Sequence, residues 1–391
     1  MRLNMEVYRT LHPVGQGAFY SEEFYTDDGT FTAIFDCGGT NGFIQECVER
    51  FCYKIDACES DKKPVIDAVF ISHFDDDHVN GLEKLFEIAR VKRIFMPLLD
   101  DSKILAISYS FLNKLGLPLY KSLLNTAVNG EPFRYEGQEI AVIRIKEGNN
   151  DRHDENEYLD SNNIRPSDVR TLSGGVPVQF SRGISWIFKT FNYDNGNSLK
   201  TEKLKSALNS FGYRLSLNEI MNKWSSDPNY QENIRECYKK VRGSINGNSM
   251  VTYSGPKDSK NCYGLDVLFP CHLINCRCHY DYCELRMERA GCMYMGDYEA
   301  KGKRKWAQYE SNFEKEIPLL HMQQLPHHGA YRNYNDRLNN IVKLNFVSAG
   351  KGNSYGHPSN SVLQSLNNDR IPWLWIHEYS FPMTFNYYCI R

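Results

Sequence analysis

Phe70-Ile71-Ser72-His73-Phe74-Asp75-Asp76-Asp77-His78-Val79-Asn80-Gly81-Leu82 runs from an apolar strand straight into a crowd of acids and histidines. The strand begins upstream, at Val65-Ile66-Asp67-Ala68-Val69. His73, Asp75, Asp77 and His78 fall within six positions. Ionised carboxylates packed so tightly repel one another and resist burial unless a cation neutralises them. The two imidazoles add neutral nitrogen donors that suit a divalent transition metal. A solvated acidic turn accounts for the aspartates but has no use for a histidine at both ends of the run. The stretch predicts a metal site just past the end of a buried strand.

Outward from this point, short apolar runs alternate with turn signals. Upstream lie a strand opening at Glu6, the glycine turn Val14-Gly15-Gln16-Gly17-Ala18-Phe19-Tyr20, and the strand Phe31-Thr32-Ala33-Ile34-Phe35 ending at Asp36-Cys37-Gly38-Gly39. Residues 44–51 have helical spacing, with Ile44, Cys47 and Phe51 on one face. Downstream, a helix is expected over 82–89 and a strand at Arg93-Ile94-Phe95-Met96-Pro97. This progression predicts a layered α/β architecture. Residues 128–183 read as irregular and polar, and 199–241 as helical, with Leu204, Leu208 and Phe211 sharing one face and Ile234, Cys237 and Val241 another. The stretch 128–245 therefore reads as an insertion, a loop followed by a helical subdomain over 199–241. In the last third, Arg289-Ala290-Gly291 suggests a hairpin between flanking strands. Polar residues again follow apolar runs: Asp297 after Met295-Gly296, His327-His328 after Leu325-Pro326, and Lys351 and His357 after Phe346-Val347-Ser348. An α/β fold gathers such strand-end residues into one cleft.

The chain has 391 residues, 41% hydrophobic and 24% charged, with a net charge of −2, so any nucleic-acid contact must come from a local patch rather than a global field. No run is apolar enough for a membrane span, and Met1-Arg2-Leu3-Asn4-Met5-Glu6 lacks the pattern of a signal peptide. Twelve scattered cysteines without such a signal fit a reducing compartment, so a cytoplasmic location is expected.

Taken in order, several short stretches resemble motifs of the metallo-β-lactamase superfamily, and more narrowly of the soluble nuclease-like domain of the ComEC/Rec2 competence proteins. They are Val14-Gly15-Gln16-Gly17-Ala18, Phe35-Asp36-Cys37-Gly38, Ser72-His73-Phe74-Asp75-Asp76-Asp77-His78, Asn246-Gly247-Asn248-Ser249-Met250-Val251, Met295-Gly296-Asp297, Leu325-Pro326-His327-His328-Gly329 and 350–358. Their collinearity over roughly half of the chain is more specific than any single motif. The resemblance implies one metallo-β-lactamase-like domain over 1–391, an αββα sandwich carrying the helical insertion. Two departures stand out. The superfamily's further metal-binding histidine has only His153, His272 and His279 as candidates, none in a matching context, so one metal is short of a ligand or borrows His327. The competence proteins' membrane portion has no counterpart in these residues, so only the hydrolase domain carries over.

The resemblance implies two divalent ions, manganese or zinc, with magnesium also admitted. His73 and Asp75 would face one ion and Asp77 and His78 the other, with Asp297 bridging and His327 and His357 completing the shells. Asp75, where most relatives have His, shifts the preference from zinc towards harder ions. Two ions about 3.5–4 Å apart generate hydroxide near neutrality and clamp both oxygens of an in-line phosphoryl displacement. Asp77, His328 and Lys351 are the expected catalytic residues, the last two stabilising developing charge or protonating the leaving oxygen. Asp36 is expected to hydrogen-bond the ligand loop rather than bind metal.

The leading expectation is a metal-dependent phosphodiesterase or nuclease acting on nucleic acid or a nucleotide. Hydrolysis of a small ester, lactone or thioester stays open on such a scaffold. So does a regulatory module that binds a protein partner through the helical insert, with anti-phage defence as one setting. Two further clusters are weighed: Lys301-Gly302-Lys303-Arg304-Lys305 as a phosphate contact, set against a solvated helix face, and the Cys/His run at 271–283 as a structural zinc site, set against buried strand cysteines.

Overall fold

The computed structural model describes residues 3–56, 63–101, 107, 109–148, 159–160, 163–180, 186–193, 199–224, 226–240, 249–258, 262–264, 267–270, 282–285 and 289–390. The fold is α/β, built on two large mixed sheets. The first runs, in spatial order, Val169–Leu172, Gln138–Ile145, Arg93–Pro97, Ala68–Phe70, Gly29–Cys37, Phe19–Thr26, Leu3–Leu11, Met383–Ile390 and Cys262–Gly264. Its half from Val169–Leu172 to Gly29–Cys37 is parallel and the remainder antiparallel. The second runs Leu159–Asp160, Pro177–Gln179, Trp186–Phe191, Val251–Pro256, Gly291–Tyr294, Leu320–Gln324, Leu344–Ser348 and Trp373–Ile376. Its last four strands are parallel.

Parallel neighbours need crossovers, and helices supply them. Phe43–Asp56, Leu82–Ile88 and Pro118–Asn129 serve the first sheet, and Lys303–Asn312 and Asn360–Asn368 the second. Side-chain alternation then divides the interior. Ile34, Val69, Ile94, Met96, Ile140 and Val142 pack with the helices on one face of the first sheet. Ala33, Phe35, Phe70, Phe95, Ala141 and Ile143 meet the second sheet on the other. Aromatic contacts join the sheets, with Phe35 to Tyr294 at 3.8 Å and Phe70 to Phe188 at 5.4 Å between centroids. A third cluster lies between the second sheet and its own helices.

The inter-sheet core also holds a buried ion pair. Arg9, fully buried, donates through Nε to Glu22 Oε1 at 2.7 Å and through a terminal nitrogen to the Ala290 carbonyl at 3.1 Å. Glu22 also accepts from the Tyr294 and Ser254 hydroxyls.

Three sequence expectations change. Residues 128–183 are not irregular throughout, because Gln138–Ile145 and Val169–Leu172 are members of the first sheet. A strand buried on both faces reads as a continuous apolar run and loses its alternating signature. The hairpin about 289–291 does not form: Tyr282–Leu285 pairs with Val267–Pro270, and Gly291–Tyr294 lies between Val251–Pro256 and Leu320–Gln324. The helices Leu199–Ser210, Leu217–Lys223 and Pro228–Lys240 bury Leu204, Leu208, Ile220, Trp224, Ile234 and Cys237 in the first helical layer. Phe211, expected on that face, is exposed, with Lys240 over its ring. Val241 lies outside the described residues. Among the described residues, no helix is long and apolar enough to cross a membrane.

Candidate metal centre

Every strand that feeds the site ends at the same edge. Gly29–Cys37 brings Asp36, Ala68–Phe70 the loop 72–78, Gly291–Tyr294 Asp297, and Leu320–Gln324 the His327-His328 pair. The acidic run resolves into a single helical turn, Asp76–Val79, with Asp75 extended as its N-cap. That turn separates the three aspartates: Asp76 points away to Lys114 at 2.5 Å, while Asp75 and Asp77 stay with the histidines. Glycines permit the close seating of the turn. A methyl group at Gly38 would lie 2.3 Å from the Asp77 carbonyl carbon, and one at Gly17 would lie 2.4 Å from the Asp77 oxygen. The Ala18 amide donates to that same oxygen at 3.1 Å.

Asp297 is the hub. Its Oδ2 lies 3.5 Å from His73 Nε2 and 3.4 Å from His327 Nε2. Its Oδ1 lies 3.3 Å from His78 Nε2 and 3.8 Å from His328 Nε2. Asp75 flanks the first half, 3.7 Å from His73 Nε2, and Asp77 the second, 3.1 Å from His328 Nε2. Two trios with ligand atoms close enough to hold a metal ion emerge, the buried His73-His78-Asp297 and Asp77-His78-His328, in which Asp77 is half-buried.

The outer nitrogens fix which way each imidazole presents its lone pair. An aspartate carboxylate and a backbone carbonyl only accept hydrogen bonds. His78 Nδ1 therefore donates to Asp36 Oδ2 at 2.8 Å, and His328 Nδ1 donates to the Ser348 carbonyl at 2.8 Å. The Ser72 hydroxyl donates to Asp36 Oδ2 at 2.7 Å, which leaves its oxygen to accept from His73 Nδ1 at 2.9 Å. In the neutral form, all three rings then carry the lone pair on Nε2, facing inward. Those three Nε2 atoms, together with Asp297 Oδ1 and Asp75 Oδ1, are buried without a hydrogen-bond partner. Orphaned acceptors facing a common centre, with their outer nitrogens anchored, are what a metal site requires. The donor set of imidazole nitrogen and carboxylate oxygen fits a divalent ion.

Electrostatics agree. Burial opposes a charge on His73, yet Asp297 and Asp75 hold its pKa up, at about 9. Burial likewise opposes charge on His78 and His328, and the surrounding carboxylates raise both. Asp297 and Asp77 are depressed despite burial, because the histidines stabilise their charge. The cluster demands positive charge, which protons supply when no cation does.

The sequence-predicted residues fare differently. His73, Asp75, Asp77, His78, Asp297 and His327 come together. His328, expected as a catalytic group, has its Nε2 among the potential ligand atoms instead. His357 stands one step out, with its ring 5.7 Å from that of His327 and outside both trios. Burial and the neighbouring His328 and His327 lower its pKa to about 4. Lys351 is exposed, and it is its backbone amide that is tied down, to the Glu378 carboxylate at 2.9 Å. Among the described residues, no hydrogen bond or ion pair joins its ammonium to the cluster. Asp36 takes the supporting place expected of it, accepting also from the Ser72 amide at 2.7 Å. His153, His272, His279, Asn246-Gly247-Asn248 and the side chains of the 271–283 run lie outside the described residues.

Two supports went unassigned in the sequence reading. Ser249 accepts from the Asp297 amide at 2.7 Å and meets His73 Nδ1 at 3.1 Å. Gln324 accepts from the Met295 and Gly296 amides at 2.9 and 3.0 Å, fixing the turn that presents Asp297. The Asn-x-x-Ser pattern signalled Ser249; nothing local signals Gln324. No known family and no curated protein matches the chain.

Proposed function

We propose that the protein is a divalent-metal-dependent hydrolase of the metallo-β-lactamase kind, an αββα sandwich acting as a phosphodiesterase on nucleic acid or a nucleotide. The observation that carries this reading is the convergence of His73, His78 and His328, each with its Nε2 lone pair turned inward, on the two oxygens of Asp297. His73, Asp75 and His327 would hold one ion through the Oδ2 side, and Asp77, His78 and His328 a second through the Oδ1 side. Bound there, divalent ions supply Lewis acidity and a nucleophile near neutral pH. The chain's own part is to hold these groups rigid and dry. Asp36, Ser72, Ser249 and the Ser348 carbonyl fix the rings, and burial excludes bulk water from Asp297. His357, half-buried beside His327, is the next side chain a substrate would meet. The phosphodiester preference rests on the resemblance in the sequence motifs, and four imidazoles with three carboxylates admit zinc and manganese alike.

Metal analysis of protein purified without chelator, with Mn²⁺-dependent cleavage of a fluorescent single-stranded oligonucleotide, tests the proposal. The expected result is bound metal, with cleavage abolished by Asp77→Ala. Less than one metal per chain and no cleavage would overturn it. Activity on esters or thioesters alone would move the substrate class.

A further inference from the structure

The turn that carries His357 also carries an exposed ring without an evident structural purpose. Tyr355 is 72% exposed. Its ring lies nearly parallel to that of His357, at 6.0 Å and 15°. His357 is in turn 5.7 Å from His327, whose Nε2 touches Asp297. The platform is held rigid from beneath. The Asn353 side-chain oxygen accepts from the amides of both Tyr355 and His357, at 3.1 and 3.0 Å, while its amide group donates to the Gly350 and His357 carbonyls. These bonds fix the backbone of the turn, and the ring that it presents stands in water next to His357.

A second feature lies four residues beyond Asp297. Lys301 Nζ sits 3.4 Å from the centroid of Tyr331, itself 54% exposed. Two straps tie the segment after Tyr331 to the turn that carries Asp297: Asn333 donates to the Asp297 carbonyl at 2.8 Å and Asn335 to the Ala300 carbonyl at 3.0 Å. Lys301 has no acidic partner among the described residues. Lys305 of the same basic run is used internally, on Glu299 and over Tyr193.

We infer that Tyr355 is a stacking platform for an unpaired nucleobase beside the metal cluster, with Lys301, on the segment that follows Asp297, holding a backbone phosphate of the same strand. The inference rests on the proposed nucleic-acid reading and narrows it to unpaired strands. A base inside a duplex has both faces covered by its neighbours and cannot lie on Tyr355, whereas an unpaired base offers its flat face to any aromatic ring. Stacking of this kind tolerates any base, so the platform selects strandedness rather than sequence.

Binding, measured apart from cleavage, tests this. Fluorescence anisotropy in EDTA compares a short fluorescein-labelled oligothymidylate, an abasic strand of equal length and a duplex. Wild type is expected to bind the oligothymidylate tighter than the other two. Tyr355→Ala should weaken that binding roughly 5- to 150-fold and leave the abasic strand unchanged, while Tyr355→Phe keeps wild-type affinity. Lys301→Ala should weaken both strands alike and lower the salt slope by about 0.7. Equal affinity for the base-bearing and abasic strands, or a duplex bound as tightly as the single strand, overturns the inference. Discrimination without any metal-dependent cleavage would sink the hydrolase reading and leave the platform standing. Cleavage without discrimination would do the reverse.

Discussion

Asp36→Asn isolates the tautomer argument better than removal of any ligand. Asp36 sits at φ +53°, a left-handed conformation that asparagine also tolerates, so the backbone has little reason to move. Its carboxylate accepts three hydrogen bonds, from the Ser72 amide, the Ser72 hydroxyl and His78 Nδ1, at 2.7, 2.7 and 2.8 Å. An asparagine has one oxygen where these donors need two. With its amide nitrogen in the Oδ1 position, it confronts the Ser72 amide, which cannot reverse. With the nitrogen in the Oδ2 position, it confronts His78 Nδ1. The imidazole then has to move its proton to Nε2, aiming an N–H at Asp297 Oδ1, 3.3 Å away, and removing a lone pair from the centre. A hydrogen bond to a charged group contributes about 1.5–3 kcal/mol, and losing one sets the expected drop in metal-free stability. Lost support behind a metal-binding histidine weakens metal affinity by about 10–100-fold, or about 1.4–2.7 kcal/mol. Calorimetric titration with Mn²⁺ and Zn²⁺, alongside urea unfolding of the metal-free protein, reads both quantities. Wild-type metal affinity in a destabilised Asp36→Asn would show that Asp36 merely braces the fold and that the inward lone pairs are incidental.

Gly38→Ala should displace the ligand turn, because the new methyl would lie 2.3 Å from the Asp77 carbonyl carbon; a loss of about 1–3 kcal/mol in urea unfolding together with weakened metal binding is expected, and retention of both would contradict the close seating. Glu22→Ala strands the buried Arg9 guanidinium and should cost about 3–5 kcal/mol, again read by urea unfolding, with metal affinity in the folded protein unchanged. His321, buried and then opposed by Arg9, has its pKa lowered to about 3, and burial followed by Lys54 lowers His12 likewise to about 3. The unfolded chain, with histidines near 6.5, binds more protons than the native state between those values. The contribution of His321 and His12 to stability should therefore be flat above about pH 6.5 and fall as pH drops towards 3, by on the order of a few kcal/mol for each histidine. His321→Gln should flatten that slope in urea midpoints measured across the window; an unaltered slope would place the titration elsewhere.

The parts of the fold that the sequence announces are those whose signal is local. Arg93–Pro97 has its predicted bounds, and the buried faces of the helices at 43–56 and 82–88 follow from apolar spacing. Gln138–Ile145 was missed because Ile140 to Ile145 face helices on one side and the opposing sheet on the other, so no polar alternation marks them. The acidic run shows the same boundary within the site. The motif spacing singled out Asp75 and Asp77, and the start of a helical turn at Asp76, with Lys114 waiting outside, is the physical reason that the middle aspartate turns away. Lys114 belongs to a segment whose packing depends on the rest of the helical layer, so no local pattern could have named it.

His327 and His328 carry the argument furthest. The resemblance assigned His327 to metal and His328 to catalysis, and in an extended chain such neighbours would point to opposite faces. The structure puts both at positive φ, +49° and +54°, followed by Gly329 at +75°. Successive left-handed residues curl the chain until both imidazoles face Asp297, one on each oxygen. For L-residues that conformation costs about 1–2 kcal/mol apiece, although histidine adopts it more readily than most. It is held by the His327 amide on the Gly296 carbonyl at 2.8 Å, the Ala330 amide on the His327 carbonyl at 2.9 Å, and the His328 ring on Ser348. None of these partners lies in the Leu-Pro-His-His-Gly motif except His327 itself. Left-handed backbone held by Gly296 and Ser348, at the place where both rings reach a single carboxylate, fits an Asp297 hub whose ligand atoms could hold a metal ion.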